Sequence, residues 1–461
     1  MLYVAYAFLG IFLCLIGYFV YFQAVESSNV ITSPYNKRQD TFADRVVRGE
    51  LLTNDGTVIA TTEVAADGTE TRVYPHGDLF AHAVGYASHG KSGMELLANY
   101  QLLTSHAYFL ERFVNEVQEE KNIGDNVITT LDLELQKAAY DALGGYDGAV
   151  IAMEPSTGKI LAMVSKPDYD PNAIARNWES ISGSSESVLL NRVTQGLYPP
   201  GSIFKILTVL EYLREGNDLE DWTYECNGSY TYEDVTINCY HGKSHGTVDL
   251  KTAFAKSCNG AFASLGLELD NEKFMETCNE LLFHSELPIG MTAKQSHVEL
   301  EADSDTGTIM QTAIGQATTE VTPLHMALIT SAIANGGNLM KPYLIDSVEN
   351  YTEEQVKKYM PSSYGKLMSA QEAEILTEYM TETVVSGTAT SLQSGSYTAA
   401  GKTGTAEYSS DKSKAHAWFT GFSNVENPDL VVCVVVEKSG AGSEYAVPVA
   451  KKIFDTYYKN K

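Results

Sequence analysis

The hydrophobic pattern at the start of the chain differs from everything that follows. Leu2 to Phe22 holds no charged residue and is almost wholly Leu, Val, Ile, Phe, Tyr and Ala. About 20 apolar residues suffice to span a bilayer as a helix. A cleaved signal peptide would carry a basic leading region and a shorter apolar core, and a surface helix would keep a polar face. The pattern predicts a transmembrane anchor over residues 1–22. Gln23 to Asn36 then turns polar and reads as a stalk, residues 23–36. From 37 to 143 short alternating runs are broken by glycines, which predicts a small pedestal domain. Within it, Arg48 to Leu52 reads as a strand entering the Asn54-Asp55-Gly56 turn, Asp-Gly being a strong turn signal.

From residue 144 the pattern becomes more regular. Gly148–Glu154 and Lys159–Ser165 are apolar runs on either side of Pro155-Ser156-Thr157-Gly158, which predicts a hairpin. His416–Phe422 and Asp429–Glu437 read as a second antiparallel pair. Helical periodicity fills Phe204–Leu213 and Met326–Ala334, and Ala446–Lys461 closes the chain as a helix. Strands at both ends with helices between them predict an α+β domain over 144–461, an antiparallel sheet with helices segregated around it.

Composition narrows the function classes. Against 32 Lys plus Arg stand 59 Asp plus Glu, a formal net charge of −27. A surface this acidic repels phosphate backbones and disfavours nucleic acid as a partner. Six cysteines in 461 residues are too few for a disulfide scaffold.

Three short motifs carry candidate chemistry. In Tyr198-Pro199-Pro200-Gly201-Ser202-Ile203-Phe204-Lys205 a rigid turn runs into a helix. Ser202 then sits in the helix's first turn, where free N–H groups favour developing negative charge. Lys205, three residues on, shares its face. An amine among apolar neighbours loses basicity by desolvation, and a neutral amine can deprotonate a serine. Ser-x-x-Lys alone is weak, and Ser88/Lys91, Ser156/Lys159, Ser363/Lys366 and Ser409/Lys412 read as solvated surface. Ser257-Cys258-Asn259 falls at a helix boundary, where Ser and Asn also serve as plain caps. Gly401-Lys402-Thr403-Gly404-Thr405 lies on a strand-like run from Tyr397 to Tyr408. It suits either an exposed edge guarded by a lysine or an edge to which a peptide adds as a further strand.

Together, and in this order, the three motifs resemble the signature set of penicillin-recognising serine enzymes, S-x-x-K, S-x-N and K-T-G. Arg48-Gly49 with Gly56, Gly93-Met94-Glu95, Asp170-Pro171-Asn172, Asn191-Arg192, Gly315-Gln316 with Thr322-Pro323, and Trp418 to Gly421 extend the resemblance to class B, monofunctional penicillin-binding proteins, from about Arg48 onward. The stretch ahead of it is too short for a glycosyltransferase domain. The resemblance implies a penicillin-binding transpeptidase fold and a peptidoglycan D,D-transpeptidase activity on cell-wall stem peptides, with β-lactams as inhibitors. It implies Ser202 as nucleophile, Lys205 as its base, Ser257 as proton relay and Asn259 as a donor to the substrate amide. Lys402 and Thr403 would bind a carboxylate, with Gly404 in the same motif. The N–H groups of Ser202 and Thr405 would form an oxyanion hole. No cofactor is required for this chemistry. A polytopic membrane glycosyltransferase is the expected partner, and the catalytic domain is expected outside the cytoplasm. The same motifs also serve D,D-carboxypeptidases and β-lactamases, and a β-lactam sensor or idle scaffold is a further alternative.

Cys226, Cys239, His245 and Cys258 crowd around the Ser-x-Asn motif. A Cys226–Cys239 disulfide is one expectation. Structural Zn²⁺ held by three thiolates and one imidazole is the other, with His241 as a competing ligand. Some penicillin-binding relatives are similar in carrying a metal ligand at the middle position of this motif. Cys14 falls in the anchor, and Cys278 and Cys433 read as core.

Overall fold

A computed structural model describes residues 2–23, 36–219, 221–407 and 415–459. Most of the predicted stalk lies outside them, as does the Ser409/Lys412 pair. Leu2–Tyr21 forms a helix with none of its side chains buried, long and apolar enough to cross a membrane.

The central sheet joins distant parts of the chain. Its order is Ala399–Glu407, Ala415–Ser423, Leu430–Val436, Gly148–Met153 and Ile160–Lys166, with every neighbouring pair antiparallel. Both predicted hairpins are therefore present, and the middle strand links them. Along Leu430–Val436, Val431, Cys433 and Val435 pack into one core, while Val432, Val434 and Val436 pack into the other. Both faces are covered, so the strand reads as an unbroken apolar run rather than an alternating one. Gly442–Tyr458 and Leu133–Leu143 cover one face. Pro323–Ala334 crosses the other, and every residue from Pro323 to Ile333 is buried. Its apolar pattern runs all round the helix, as suits a core element. Cys278 and Cys433 are buried as expected, and Cys14 is exposed on the N-terminal helix.

A second, six-stranded sheet belongs to the pedestal. Its order is Gln355–Lys358, Ile345–Glu349, Asn126–Thr129, Leu51–Leu52, Val58–Val64 and Glu70–Val73. Two of these strands come from far along the chain: Val348 pairs with Val127 and Glu349 with Asn126. The late hairpin 345–358 thus joins the early strand Asn126–Thr129 through backbone hydrogen bonds.

The predicted strand Arg48–Leu52 is confined to Leu51–Leu52. Arg48 turns inward instead. Its Nε lies 2.6 Å from Glu95, and Arg72 Nε lies 2.7 Å from the other oxygen of the same buried carboxylate. Arg48 also donates to Asn99 Oδ1 at 2.7 Å. Burial pushes the Glu95 carboxyl up, and the two guanidiniums outweigh it and hold the group below its ordinary value. Gly49 sits against the Asp125 carbonyl, where a Cβ would come within 2.0 Å. Those two residues of the motif therefore have packing reasons.

Candidate active site

Pro199 and Pro200 stiffen the approach to Ser202, and Gly201 takes φ +54, a conformation glycine adopts without strain. The turn is clamped on three sides. Gly201 N donates to Gly315 O at 2.8 Å, Trp418 Nε1 donates to Pro199 O at 3.0 Å, and Tyr198 bridges to Val321. A Cβ on Gly315 would meet Gly201 O at 2.1 Å. The result is a 3-10 turn, Gly201–Phe204, that feeds the helix Lys205–Arg214.

Lys205 is fully buried on that helix. Its amine donates to Asn259 Oδ1 at 2.8 Å and to Ser257 O at 3.0 Å, and lies 3.3 Å from Ser257 Oγ. The Phe262 ring centre lies 5.1 Å away. Burial pulls the amine's pKa down to about 8.

Lys402 arrives from the opposite wall and is also fully buried. It donates to Ser257 Oγ at 3.0 Å and to Thr403 O at 3.1 Å. Burial and then the nearby Lys205 charge hold it well below the usual lysine value. An edge-guarding lysine would be exposed, so that alternative fails. Ala399–Glu407 is nevertheless an edge strand of the central sheet, as the peptide-addition alternative requires.

Ser257 links the two amines. It lies between the helices Leu250–Ala255 and Asn259–Gly266 with φ +57. A non-glycine residue in that region carries backbone strain. The capping alternative fails as well. Cys258 holds the N-cap position with no side-chain cap bond, and Asn259 Nδ2 reaches across to Asn238 O at 3.0 Å.

Thr403 shares a 2.6 Å hydrogen bond with Thr388, and Thr405 Oγ1 accepts from Gly442 N at 3.4 Å. Gly404 is fitted to the serine turn: a Cβ there would lie 2.9 Å from Pro200 O and 3.2 Å from Ile203. Ser202, Ser257, Asn259, Thr403 and Thr405 thus line one groove of about 650 Å³, with the buried amines of Lys205 and Lys402 meeting at Ser257 and Gly404 packed against the serine turn. In none of the other three described Ser-x-x-Lys pairs is the lysine buried. Chemically, the site offers a hydroxyl on a fixed turn, amines of reduced basicity and a strand edge. Sequence reading missed Thr388 and the two rings, Phe254 and Phe262, that bury the amines. Their contacts span long sequence separations and leave no local signal.

Beside the motif, Cys226 Sγ lies 3.7 Å from Cys239 Sγ, Cys239 Sγ lies 3.7 Å from Cys258 Sγ, and Cys226 Sγ lies 3.3 Å from His245 Nδ1. All four ligand atoms fall within 4.8 Å of one another. The expected Cys226–Cys239 disulfide is absent, and both thiols are free. A bond would need sulfurs about 2.05 Å apart, and the pair instead shares its position with Cys258 and His245. His241 is exposed, packs on Tyr240 and stands outside the cluster.

A serine turn, two converging amines and a strand edge on this sheet define a penicillin-recognising serine acyltransferase. Residues 148–455 match the family described as the penicillin binding protein transpeptidase domain, and residues 48–127 match the penicillin binding protein A dimerisation domain. The chain is 32% identical over 458 residues to the peptidoglycan D,D-transpeptidase PbpA of Mycolicibacterium smegmatis, covering 90% of this chain and 91% of that protein. Among solved structures it is similar to the D,D-transpeptidase domain of a peptidoglycan glycosyltransferase from Eggerthella lenta. That likeness has a TM-score of 0.81 at 30% identity and covers 90% of this chain and 99% of the other. It is similar also to penicillin-binding protein A of M. tuberculosis in a ceftriaxone acyl-enzyme complex, with a TM-score of 0.82 at 29% identity over 91% and 99% of the two chains. The chain belongs to the penicillin-binding protein transpeptidase family.

The depressed Lys205 basicity makes a kinetic prediction. The amine accepts a proton only when neutral, so acylation of Ser202 by benzylpenicillin should rise as pH passes through about 8 and level off above it. Stopped-flow acylation rates across that range check this; a flat profile contradicts a neutral-amine base.

Proposed function

We propose that the chain is a peptidoglycan D,D-transpeptidase acting through an acyl-Ser202 intermediate. The observation that carries this reading is the meeting of two buried lysine amines on Ser257 Oγ beside the clamped Ser202 turn. Ser202 Oγ attacks the carbonyl of the penultimate D-alanine of a stem peptide, and its proton passes to neutral Lys205 Nζ. The backbone N–H groups of Ser202 and Thr405 hold the oxyanion, whose preorganised donors act on charge that develops only in the transition state. The C–N bond then breaks. The departing D-alanine amine gains its proton through Ser257, which Lys402 and Lys205 both contact. Asn259 orients the upstream amide, and Lys402 with Thr403 receives the terminal carboxylate, with Gly404 leaving room for the strand to close on the turn. An amine of a neighbouring stem attacks the ester, forms the cross-link and returns a proton to Ser202 Oγ. The acyl transfer itself needs no cofactor. A β-lactam enters by the same attack and remains as an acyl-serine.

Residues 37–143 are the pedestal and 144–461 the catalytic domain in this reading. Residues 1–22 anchor the chain through the stalk 23–36 to a membrane whose outer side holds the catalytic domain. A polytopic glycosyltransferase is the fitting partner. Support comes from the helix Phe109–Gln118, which buries none of its own residues and exposes Phe109, Leu110, Phe113, Val114 and Val117 on one side. A ten-residue helix is marginal without packing. Co-purification of the full chain with such a glycosyltransferase from the same cell should be lost on Phe113→Glu; a complex indifferent to that change removes this contact.

Zinc at Cys226, Cys239, His245 and Cys258 fits the spacing. Tetrahedral Zn–S bonds of about 2.3 Å place sulfurs about 3.8 Å apart, close to the 3.7 Å found between neighbouring thiols. The metal would brace the loop that carries Ser257 and would take no part in acyl transfer. Full-length protein purified without chelator should contain one zinc per chain by elemental analysis. Cys239→Ser should lower both the zinc content and the melting temperature. Metal-free protein of unchanged melting behaviour contradicts the site.

The transpeptidase reading is tested by incubating the full-length chain with a fluorescent penicillin and locating the label by mass spectrometry. Stable labelling on Ser202, abolished in Ser202→Ala, is expected. Label that turns over within seconds favours a hydrolase, and a folded sample that takes no label leaves only a scaffold.

A further inference from the structure

The groove in front of Ser202 has a charge opposite to that of the protein. The chain as a whole carries −27. Yet among the described residues the lysines lining the groove are Lys243 and Lys256, against a single carboxylate, Glu407. Lys243 and Lys256 are both exposed and both line the groove. Among the described residues neither forms an ion pair. By contrast Lys251, five positions before Lys256, is satisfied by Glu378 at 2.7 Å. Lys256 lies directly before Ser257, whose φ is +57, and Lys243 directly follows Gly242, at φ +66. Two exposed cations lining the groove of an acidic protein attract a carboxylate from the substrate and disfavour amidated analogues.

The substrate has such a group to offer. In the reading above, on which this inference rests, the terminal carboxylate goes to Lys402 and Thr403, and the upstream amide meets Asn259. Lys256 lies three residues before Asn259, the residue that meets the upstream amide in that reading. A γ-linked D-glutamate leaves its α-carboxylate free unless amidated, and a diaminopimelate-type third residue carries another. We propose that Lys243 and Lys256 form a carboxylate-binding subsite that selects donor stems with a free carboxylate upstream of the acylated D-alanine.

The test uses the full-length chain in detergent and soluble pentapeptide donors ending in D-Ala-D-Ala. Ser202 labelling of the wild type by fluorescent penicillin comes first. D-Alanine release is then followed for four donors: both upstream carboxylates free, glutamate amidated, third residue amidated, and both amidated. Amidation of the recognised position should lower kcat/KM about 5- to 10-fold at low salt, with a smaller effect at about 0.5 M salt. The donor that loses activity identifies which carboxylate is read. In the double variant Lys243→Gln, Lys256→Gln the ratio between free and amidated donors should fall to about one, and Lys→Glu at both positions should invert it. Because the readout is a ratio within one enzyme, partial loss of overall activity does not disturb it. A wild-type ratio near one, or a ratio retained in the double Gln variant, overturns the subsite while the Ser202 label leaves the transpeptidase reading intact. Absence of the label from wild type removes the role of Ser202 and the subsite with it.

Discussion

Two lysine amines buried against one serine hydroxyl set the terms for the rest of the molecule. Taking an ammonium out of water costs several kcal/mol, and Lys205 and Lys402 both leave water completely. The cost is met by four acceptors, Ser257 O, Ser257 Oγ, Asn259 Oδ1 and Thr403 O. Those acceptors come from three separate elements: the loop between two helices, a helix start and the edge strand. A hydroxyl has one proton and two lone pairs, so Ser257 Oγ can take a hydrogen bond from each amine or give its own proton to a neutral one. Reduced basicity of both lysines is what makes the second arrangement available near neutral pH, and a proton can then move between the walls of the groove.

The scaffold around this junction leaves it little freedom. Gly201 and Gly315 interlock, Gly404 admits the Pro200 carbonyl, and Ser257 is held at a positive φ. Behind them the central sheet is packed on both faces, so the Lys402 strand cannot slip without moving two cores. The pedestal is tied into the same body. A hairpin from residues 345–358 completes its sheet, and one buried carboxylate, Glu95, gathers Arg48 and Arg72 beneath it. Removing one partner from a buried ionic group of this kind generally costs about 3–5 kcal/mol, which accounts for the presence of Arg48 and Glu95 in a stretch that carries no chemistry of its own.

Charge is distributed to match these roles. The chain carries a net charge of −27, while among the described residues the groove is lined by Lys243 and Lys256 and by one carboxylate, Glu407. That contrast cannot be read from net charge. It depends on which lysines find partners: Lys251 has Glu378, whereas Lys243 and Lys256 line the groove without an ion pair among the described residues.

Much of the protein is written locally in the chain. The apolar run of the N-terminal helix, the two hairpins, the core helix around Met326 and the order of the three motifs all follow from periodicity and turn chemistry, which act over a few residues. The strand at Arg48 was overstated because its tertiary ion pair with Glu95 outweighed its local propensity. The disulfide between Cys226 and Cys239 was a fair expectation from proximity in sequence, but Cys258 and His245 enter the same space from further along the chain. Which Ser-x-x-Lys pair buries its lysine, that Ser257 and Asn259 serve the amines rather than cap a helix, and that Thr388 supports Thr403 were decided by folding alone. Those properties depend on desolvation and on hydrogen bonds between groups tens to hundreds of residues apart. Sequence determined which elements form and which residues are available for chemistry. Tertiary structure decided which of them lose their water, and loss of water is what changes a lysine's basicity.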